Sequence, residues 1–235
     1  ADREKVDRLL REGVARMGQI PGVESAAAGL HMPLERWLNM QVRFAPKDTG
    51  RTGNMNYVTP NYFTALRIPI LRGRNFNEGD NATGEKVVIV NEALVKLFLE
   101  GRDPLSEHIL LRNGEPHRIV GVVGDTLQSA GWGGYGPLHP MPAFYITAAQ
   151  GDGEFFKLVH QWFSPVWIVR SKLDQATLAR QLEPVTRGLD PMLPLASFAS
   201  PSDLKSLTLG VQLLTVTLIS AISGLGLLIC VLGVY

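Results

Sequence analysis

The chain is 235 residues long, 45% hydrophobic and 19% charged, enough for one or two cored domains and too apolar for a disordered or fibrous chain. Twenty-three Lys and Arg against 22 Asp and Glu leave a net charge of +1. That balance removes the electrostatic case for nucleic acid, which needs a clustered basic excess. One cysteine, Cys230, excludes an internal disulfide framework and any multi-cysteine zinc or iron–sulfur centre.

Residues 2–20 (DREKVDRLLREGVARMGQI) place Val6, Leu9, Leu10, Gly13, Val14 and Met17 along one side and charges on the other, the period of an amphipathic helix. Pro21-Gly22 ends it, residues 23–30 (VESAAAGL) read as a short strand, and a second strand fits 39–44. The polar, turn-rich run 45–54 (APKDTGRTGN) is a candidate boundary. Beyond it, NYVTPNYFTALRIPILRGRNF predicts a strand into Val58, a short helix with Pro60 in its first turn, and an extended stretch at 68–72.

In KVVIVNEALVKLFLEG, residues 87–90 are the continuous apolar run of a strand buried on both faces. Asn91 is a ready N-cap, Leu94, Leu97 and Phe98 line a helical face, and Gly101 closes the helix. Residues 117–125 (HRIVGVVGD) are another apolar strand, 128–142 a loop rich in glycine and proline, and 144–147 a strand again. The last unit gives a strand at 166–170, a helix from Asp174 to about Arg187 that Pro184 should kink or end early, and a strand at 195–198. Helix and strand units therefore flank a separate middle block, which favours an α+β fold with an inserted subdomain.

Every charged side chain lies at or before Lys205. From Leu209 the remaining 27 residues (LGVQLLTVTLISAISGLGLLICVLGVY) include 15 Leu, Ile or Val. As a helix they would extend roughly 40 Å, against a hydrocarbon core of about 30 Å. Insertion would gain roughly 5–9 kcal/mol before the cost of Gln212 and the hydroxyl residues. A transmembrane helix is the expectation, the alternative being a buried helix of a globular domain. Ser220 and Gly224 stand four apart and would let a neighbouring helix approach, though such pairs are common by chance. Cys230 inside the span acts as a small hydrophobe. A chain that opens at Ala1 and stops while still apolar reads as a piece of a longer membrane protein, with no charged flank to orient the span.

No arrangement reads as catalytic, metal-binding or cofactor-binding. Gly131 to Gly136 match G-x-G-x-x-G, but Pro137, Pro140 and Pro142 forbid the helix whose N-terminus would meet a pyrophosphate, so a flexible loop is expected. Ser202-Asp203-Leu204-Lys205 match S-x-x-K without partner motifs. His31, His108, His117, His139 and His160 lack ligand-like spacing and read as satisfied surface or loop residues. Asp125 reads as a turn cap, and Asn81-Ala82-Thr83 is a glycosylation sequon by pattern only. Trp132, Tyr135, Trp162, Phe163 and Trp167 suit core packing or a membrane-proximal belt better than a contact patch.

PGVESAAAG after an amphipathic helix, then YVTPNYFTALRIPILRGRNFNEGD, VVIVNEALVKLFLEGRDPLSEHI, RIVGVVGD and RGLDPMLPLASFAS before an apolar helix together resemble the MacB-like periplasmic core domain of FtsX/MacB-type ABC permeases, most closely the acidobacterial type. Pro184 and the loop at 131–136 depart from the pattern. The resemblance implies a discontinuous extracytoplasmic domain. Residues 1–44 and 161–203 would form a membrane-proximal Porter-like subdomain, 45–160 an inserted Sabre-like subdomain, and 204–235 the transmembrane helix. It further implies a non-catalytic domain in the bacterial inner membrane, with residues 1–203 outside the cytoplasm, transmitting ATP-driven motion for export or release of a substrate. The implied partners are the lipid bilayer, a cytoplasmic ABC ATPase subunit, a second permease half or protomer and, optionally, a periplasmic adaptor; no cofactor and no nucleic acid are implied. The alternative is a membrane-anchored extracytoplasmic binding or sensory module not coupled to ATP.

Overall fold

A computed structural model describes residues 3–130, 137–190 and 198–233. Helix α1 (Arg3–Gly18) forms on the expected periodicity, with Val6, Leu10, Gly13 and Met17 buried. Strand β1 (Val23–Gly29) pairs antiparallel with β11 (Val166–Ser171), so the two ends of the fold meet in one ladder. Across that ladder α1 packs with α5 (Gln175–Leu189): Met17, Ile20, Ala26 and Leu182 form a buried cluster with Trp167, Leu178 and Val185 against it. Gly13 lets α1 sit directly on the Trp167 indole, where an added Cβ would come within 2.5 Å of the indole nitrogen.

The middle of the chain closes a ring. Strand β2 (Leu38–Val42) pairs with β3 (Arg51–Val58), β3 with β10 (Ala143–Thr147), and β10 with β5 (Val87–Asn91). Strand β5 pairs with β7 (Pro116–Val123), and β7 with β6 (His108–Leu110). An antiparallel bridge between Arg43 and Leu110 completes it, the Leu110 N–H donating to the Arg43 carbonyl at 2.8 Å. Strand β4 (Ile70–Gly73) continues the outer edge of β7 beyond β6. The side chains alternate as strand geometry requires. Met55, Val88, Val90, Ile119, Phe144 and Ile146 share one cluster with Phe98 of α3 (Glu92–Phe98) and Phe155 and Phe156 of α4 (Gly153–Val159). Val87, Ile89, Ala143 and Tyr145 face the other way, onto Trp37, Phe76 and the Tyr62 and Phe63 rings of α2 (Tyr62–Leu66). Strand β5 is buried throughout, as its unbroken apolar run predicts.

The ladder and the ring share both main hydrophobic clusters and meet in backbone pairing at one place. Strands β1 and β3 share one register pair, Gly29 with Val58, flanked by the Leu30 N–H to the Tyr57 carbonyl at 3.0 Å and the Thr59 N–H to the Ala28 carbonyl at 2.8 Å.

Several expectations are corrected. The loop expected at 128–142 contains a hairpin, β8 (Leu127–Ser129) with β9 (Leu138–Pro140), whose three-residue strands are too short to carry a period. Strand β3 begins at Arg51, inside the polar run 45–54, because β2 supplies hydrogen-bond partners there and Gly53 lets Val42 approach. Helix α3 ends at Phe98, before Gly101. Helix α5 continues through Pro184 to Leu189. Of the strand expected at 195–198, residues 195–197 lie outside the described residues, and Phe198 has no regular structure.

Helix α6 (Pro201–Gly233) is 33 residues long. Ser200 and Asp203 start it reciprocally: the Asp203 carboxylate accepts the Ser200 N–H at 2.8 Å, and the Ser200 hydroxyl accepts the Asp203 N–H at 3.2 Å. The helical part of the C-terminal expectation is therefore observed and the membrane part is not, since no helix among the described residues is long and apolar enough to cross a membrane. Nor does α6 take the alternative of a buried helix: Leu213, Leu214, Val216, Leu218, Ile219 and Ile222 are all exposed.

Candidate functional site

A cleft of about 200 Å³ opens at one end of the strand ring, between the start of α1, the β6–β7 turn and the turn leading into α4. Met40, Met55, Phe144 and Ile146 line it from the strands, Phe155 from α4. Its charged residues are of both signs: Arg3, Lys86 and Arg112 with Glu115 and Asp152. Asp152 also caps α4, accepting the Glu154 N–H at 3.2 Å. Gln150 closes one wall with its amide fully engaged, accepting the Val87 N–H at 3.0 Å and donating to the Asn81 and Glu85 carbonyls at 3.1 and 2.7 Å.

His117 is, with Gln150, one of the buried polar residues that line the cleft. It lies two residues before Ile119 on β7 and opposite Ile109, both of which face the ring's core. It is 1% exposed. Its Nδ1 lies 3.2 Å from the Glu115 carbonyl, which can only accept, so the proton is on Nδ1. Burial lowers the imidazole's affinity for a second proton, with the Glu115 carbonyl hydrogen bond opposing and Lys86 reinforcing. Its Nε2 therefore carries the lone pair, enclosed by the protein and without a hydrogen-bond partner among the described residues.

A second polar cluster stitches the seam. The Asn56 carbonyl oxygen accepts the Leu30 and His31 N–H groups at 2.9 and 3.2 Å, while its amide nitrogen donates to the His31 carbonyl at 3.0 Å. The Tyr62 hydroxyl donates to the same carbonyl at 2.7 Å. His31 Nε2 accepts the Leu38 N–H at 3.2 Å, and the ring sits edge-on to Phe163 with centroids 4.8 Å apart. Burial, helped by the charge of Arg36, pushes the His31 pKa down to about 3, so the ring is neutral and an acceptor. Each of these hydrogen bonds joins a side chain to the backbone, so the cluster clamps the seam.

The surface-or-loop reading of the histidines fails at His117, which is buried on β7; His31 is buried too but lies, as a loop residue, between β1 and β2 with its Nε2 satisfied. His108 and His139 are exposed, and His160 is half-buried with Nε2 3.0 Å from the Tyr57 hydroxyl. Asp125 is a cap, though of a helix: one oxygen accepts the Ala93 N–H and the Asn91 amide, each at 2.8 Å. Asn91 caps α3 as expected, accepting the Leu94 N–H at 3.0 Å. Of the five aromatics, Trp132 and Tyr135 lie with the loop 131–136 outside the described residues, Trp162 is exposed, and Phe163 and Trp167 are packed. Ser220 and Gly224 are exposed on α6, with nothing within 4 Å of a Cβ built on Gly224. Among the described residues no three His, Cys, Asp or Glu side chains group to hold a metal. The cleft escaped the sequence reading; the alternation of His117 with Ile119 was the signal that could have found it.

A family model for the MacB-like periplasmic core domain matches residues 2–185. The chain is 28% identical over 85 residues to the uncharacterized ABC transporter permease YknZ of Bacillus subtilis (strain 168), covering 36% of the chain and 21% of the relative. It is 29% identical over 124 residues to the pyoverdine export ATP-binding/permease protein PvdT of Pseudomonas entomophila (strain L48), covering 51% and 17%. The chain thus spans about a fifth of the length of these curated relatives. The periplasmic region of MacB from Actinobacillus actinomycetemcomitans superposes with a TM-score of 0.54 at 14% identity, over 76% of this chain and 73% of that one, a likeness of fold.

Proposed function

The chain belongs to the MacB-like periplasmic core domain family, and on that premise we propose that it is the non-catalytic extracytoplasmic part of an ABC permease, carried on a membrane-crossing α6. The observation that carries this reading is α6 itself. A helix of 33 residues follows the folded part, and its described apolar side chains from Leu213 to Ile222 are exposed on all sides. In water that surface is unfavourable; in a hydrocarbon layer it is the solvent-matched surface. The absence of any charge from Ser206 onward supports the same reading. Residues 1–203 then lie outside the cytoplasm at the bacterial inner membrane, and Ser220 and Gly224 mark the side of α6 where a neighbouring helix packs.

We assign the ladder of β1 and β11 with α1 and α5 to the Porter-like part (1–44 and 161–203) and strands β3 to β10 to the Sabre-like insertion (45–160); β2, within the first range, pairs with β3 and carries the Porter-like part into the ring. Through the rest of the permease the domain works with a cytoplasmic ATPase subunit and a second permease half, α6 passing on ATP-driven motion for export or release of a substrate.

Two measurements test this. Replacing Leu218 and Leu225 together by Arg places two charges costing about 5–7 kcal/mol within the span, enough to offset its insertion gain, so the variant is expected in the alkaline wash of membranes from which the parent chain is not extracted; retention of the variant, or extraction of the parent, overturns the membrane reading. In the full permease with its ATPase, spin labels on the solvent face of α5 and on the partner permease half should change separation when ATP is added. An unchanged distance overturns the coupling and favours an anchored binding module.

A further inference from the structure

We propose that Asn113, followed by Gly114 in the turn between β6 and β7, is a site of spontaneous covalent modification, where the side-chain amide is lost and aspartate and isoaspartate form. This goes beyond the permease reading and does not depend on where α6 lies. The first observation is the turn. The Leu111 N–H donates to the Glu115 carbonyl at 3.2 Å and the Gly114 N–H to the Leu111 carbonyl at 2.8 Å. Gly114 has φ +79°, in the left-handed region that favours glycine. Asn113 and Gly114 are both exposed, so water reaches the reacting atoms.

The second observation is the Asn113 side chain. Its Oδ1 accepts the Glu115 N–H at 3.0 Å, and its Nδ2 donates to Glu115 Oε2 at 3.2 Å. The ring of atoms closed by the first bond contains both the amide carbon Cγ and the Gly114 nitrogen, which holds the two as near neighbours. The Glu115 N–H also points at the oxygen on which negative charge builds during attack. The Gly114 hydrogen bond to Leu111 has to open first. It sits at an exposed hairpin tip outside both strands, where local opening costs little.

The third observation is a comparison within the chain. Asn77 and Asn81 hold the same arrangement, each Oδ1 accepting the N–H two residues on, from Gly79 at 2.8 Å and from Thr83 at 3.0 Å. The nitrogen beside those amides belongs to Glu78 and Ala82, whose Cβ atoms crowd the approach. Asn113-Gly114 is the only Asn-Gly pair in the sequence, and glycine has no Cβ to obstruct the attack.

The Gly114 nitrogen gives its proton to hydroxide and bonds to Asn113 Cγ. The Cγ–Nδ2 bond breaks, ammonia leaves with a proton taken from water, and a succinimide ring remains. Water then adds to either ring carbonyl. Cleavage of the new nitrogen–Cγ bond leaves aspartate, and cleavage of the original peptide bond leaves isoaspartate. The net change is amide plus water to carboxylic acid plus ammonia, with nothing oxidised or reduced. Either product removes the donor to Glu115 and sets a second carboxylate beside it, at the edge of the cleft.

The test incubates the full chain in lipid nanodiscs for weeks at neutral pH in water enriched in heavy oxygen, followed by peptide mapping with fragmentation that separates aspartate from isoaspartate. Conversion at Asn113 is expected at least tenfold faster than at Asn77 or Asn81, with one heavy oxygen taken up and both products present. Equal conversion at the three positions overturns the role of Gly114. Aspartate without isoaspartate overturns the succinimide route. An Asn113 that converts in the urea-unfolded chain but stays intact in the folded one overturns the proposal, since the turn would then protect the amide. All of these readings come from the unaltered sequence, so none depends on a variant that folds.

Discussion

Two buried histidines show how one residue type takes its role from its neighbours. His31 accepts a backbone N–H at Nε2, while His117 is buried with Nε2 unpaired among the described residues. Both titrate below the ordinary imidazole range because burial disfavours the cation. For His31 the consequence for stability has a definite direction. The unfolded chain takes up a proton near pH 6.5 and the folded one only near 3, so protons favour unfolding between those values. Stability is complete above about pH 6.5 and falls by up to about 1.4 kcal/mol per pH unit as pH drops toward 3. His31→Gln, which keeps an acceptor for Leu38 but does not titrate, should flatten the dependence of the unfolding midpoint on pH from 4.5 to 6.5, leaving the contributions of His117 and His160. A slope equal to that of the parent would refute the assignment. Asn91 illustrates the opposite case: a residue legible as an N-cap also accepts the Ala143 N–H at 2.8 Å and donates to the Met141 carbonyl at 2.8 Å, tying α3 to β10. The cap was readable because its partner lies three residues away; the other bonds join residues about fifty positions apart.

Among the elements, legibility tracked length and periodicity. Helices α1 and α5 and strands β5, β7 and β10 announce themselves by runs that repeat a helical or strand pattern. Strands β6, β8 and β9, of three residues each, do not, because a period cannot be read from so few positions and their pairing partners alone hold them extended. Helix α4, seven residues with Phe155 and Phe156 adjacent, was missed for the same reason. Element packing adds a prediction at Gly13. Since a Cβ there meets the Trp167 indole, Gly13→Val should push α1 off the ladder at a cost of about 1–3 kcal/mol. A lowered unfolding midpoint together with a changed Trp167 emission would be expected. An unchanged midpoint would mean that α1 is not seated as described.

At the level of the whole molecule, the terminal ladder and the closed ring share one core. Val6, Leu10, Ala28 and Leu30 pack in one cluster with Met55, Val88 and Phe144, and Ala27 and Ile168 in another with Val58 and Tyr62. The register pair at Gly29 and Val58 and the Asn56 clamp add hydrogen bonds across the same join, so the two should open together. Native-state hydrogen exchange is expected to place amides of β1 and β11 in the same opening class as those of β5 and β10. Two distinct free energies and denaturant slopes would show bodies that open separately. The sequence by itself determined the α+β class, the helix caps, the family resemblance and the uncharged C-terminal stretch, because each is written in composition or in neighbours a few residues apart. Only the tertiary structure decided that Arg43 meets Leu110 to close the ring and that His117 is buried opposite Ile109 on its inner face. Those facts depend on register between strands distant along the chain, and a shift of one residue would turn every such side chain to the opposite face.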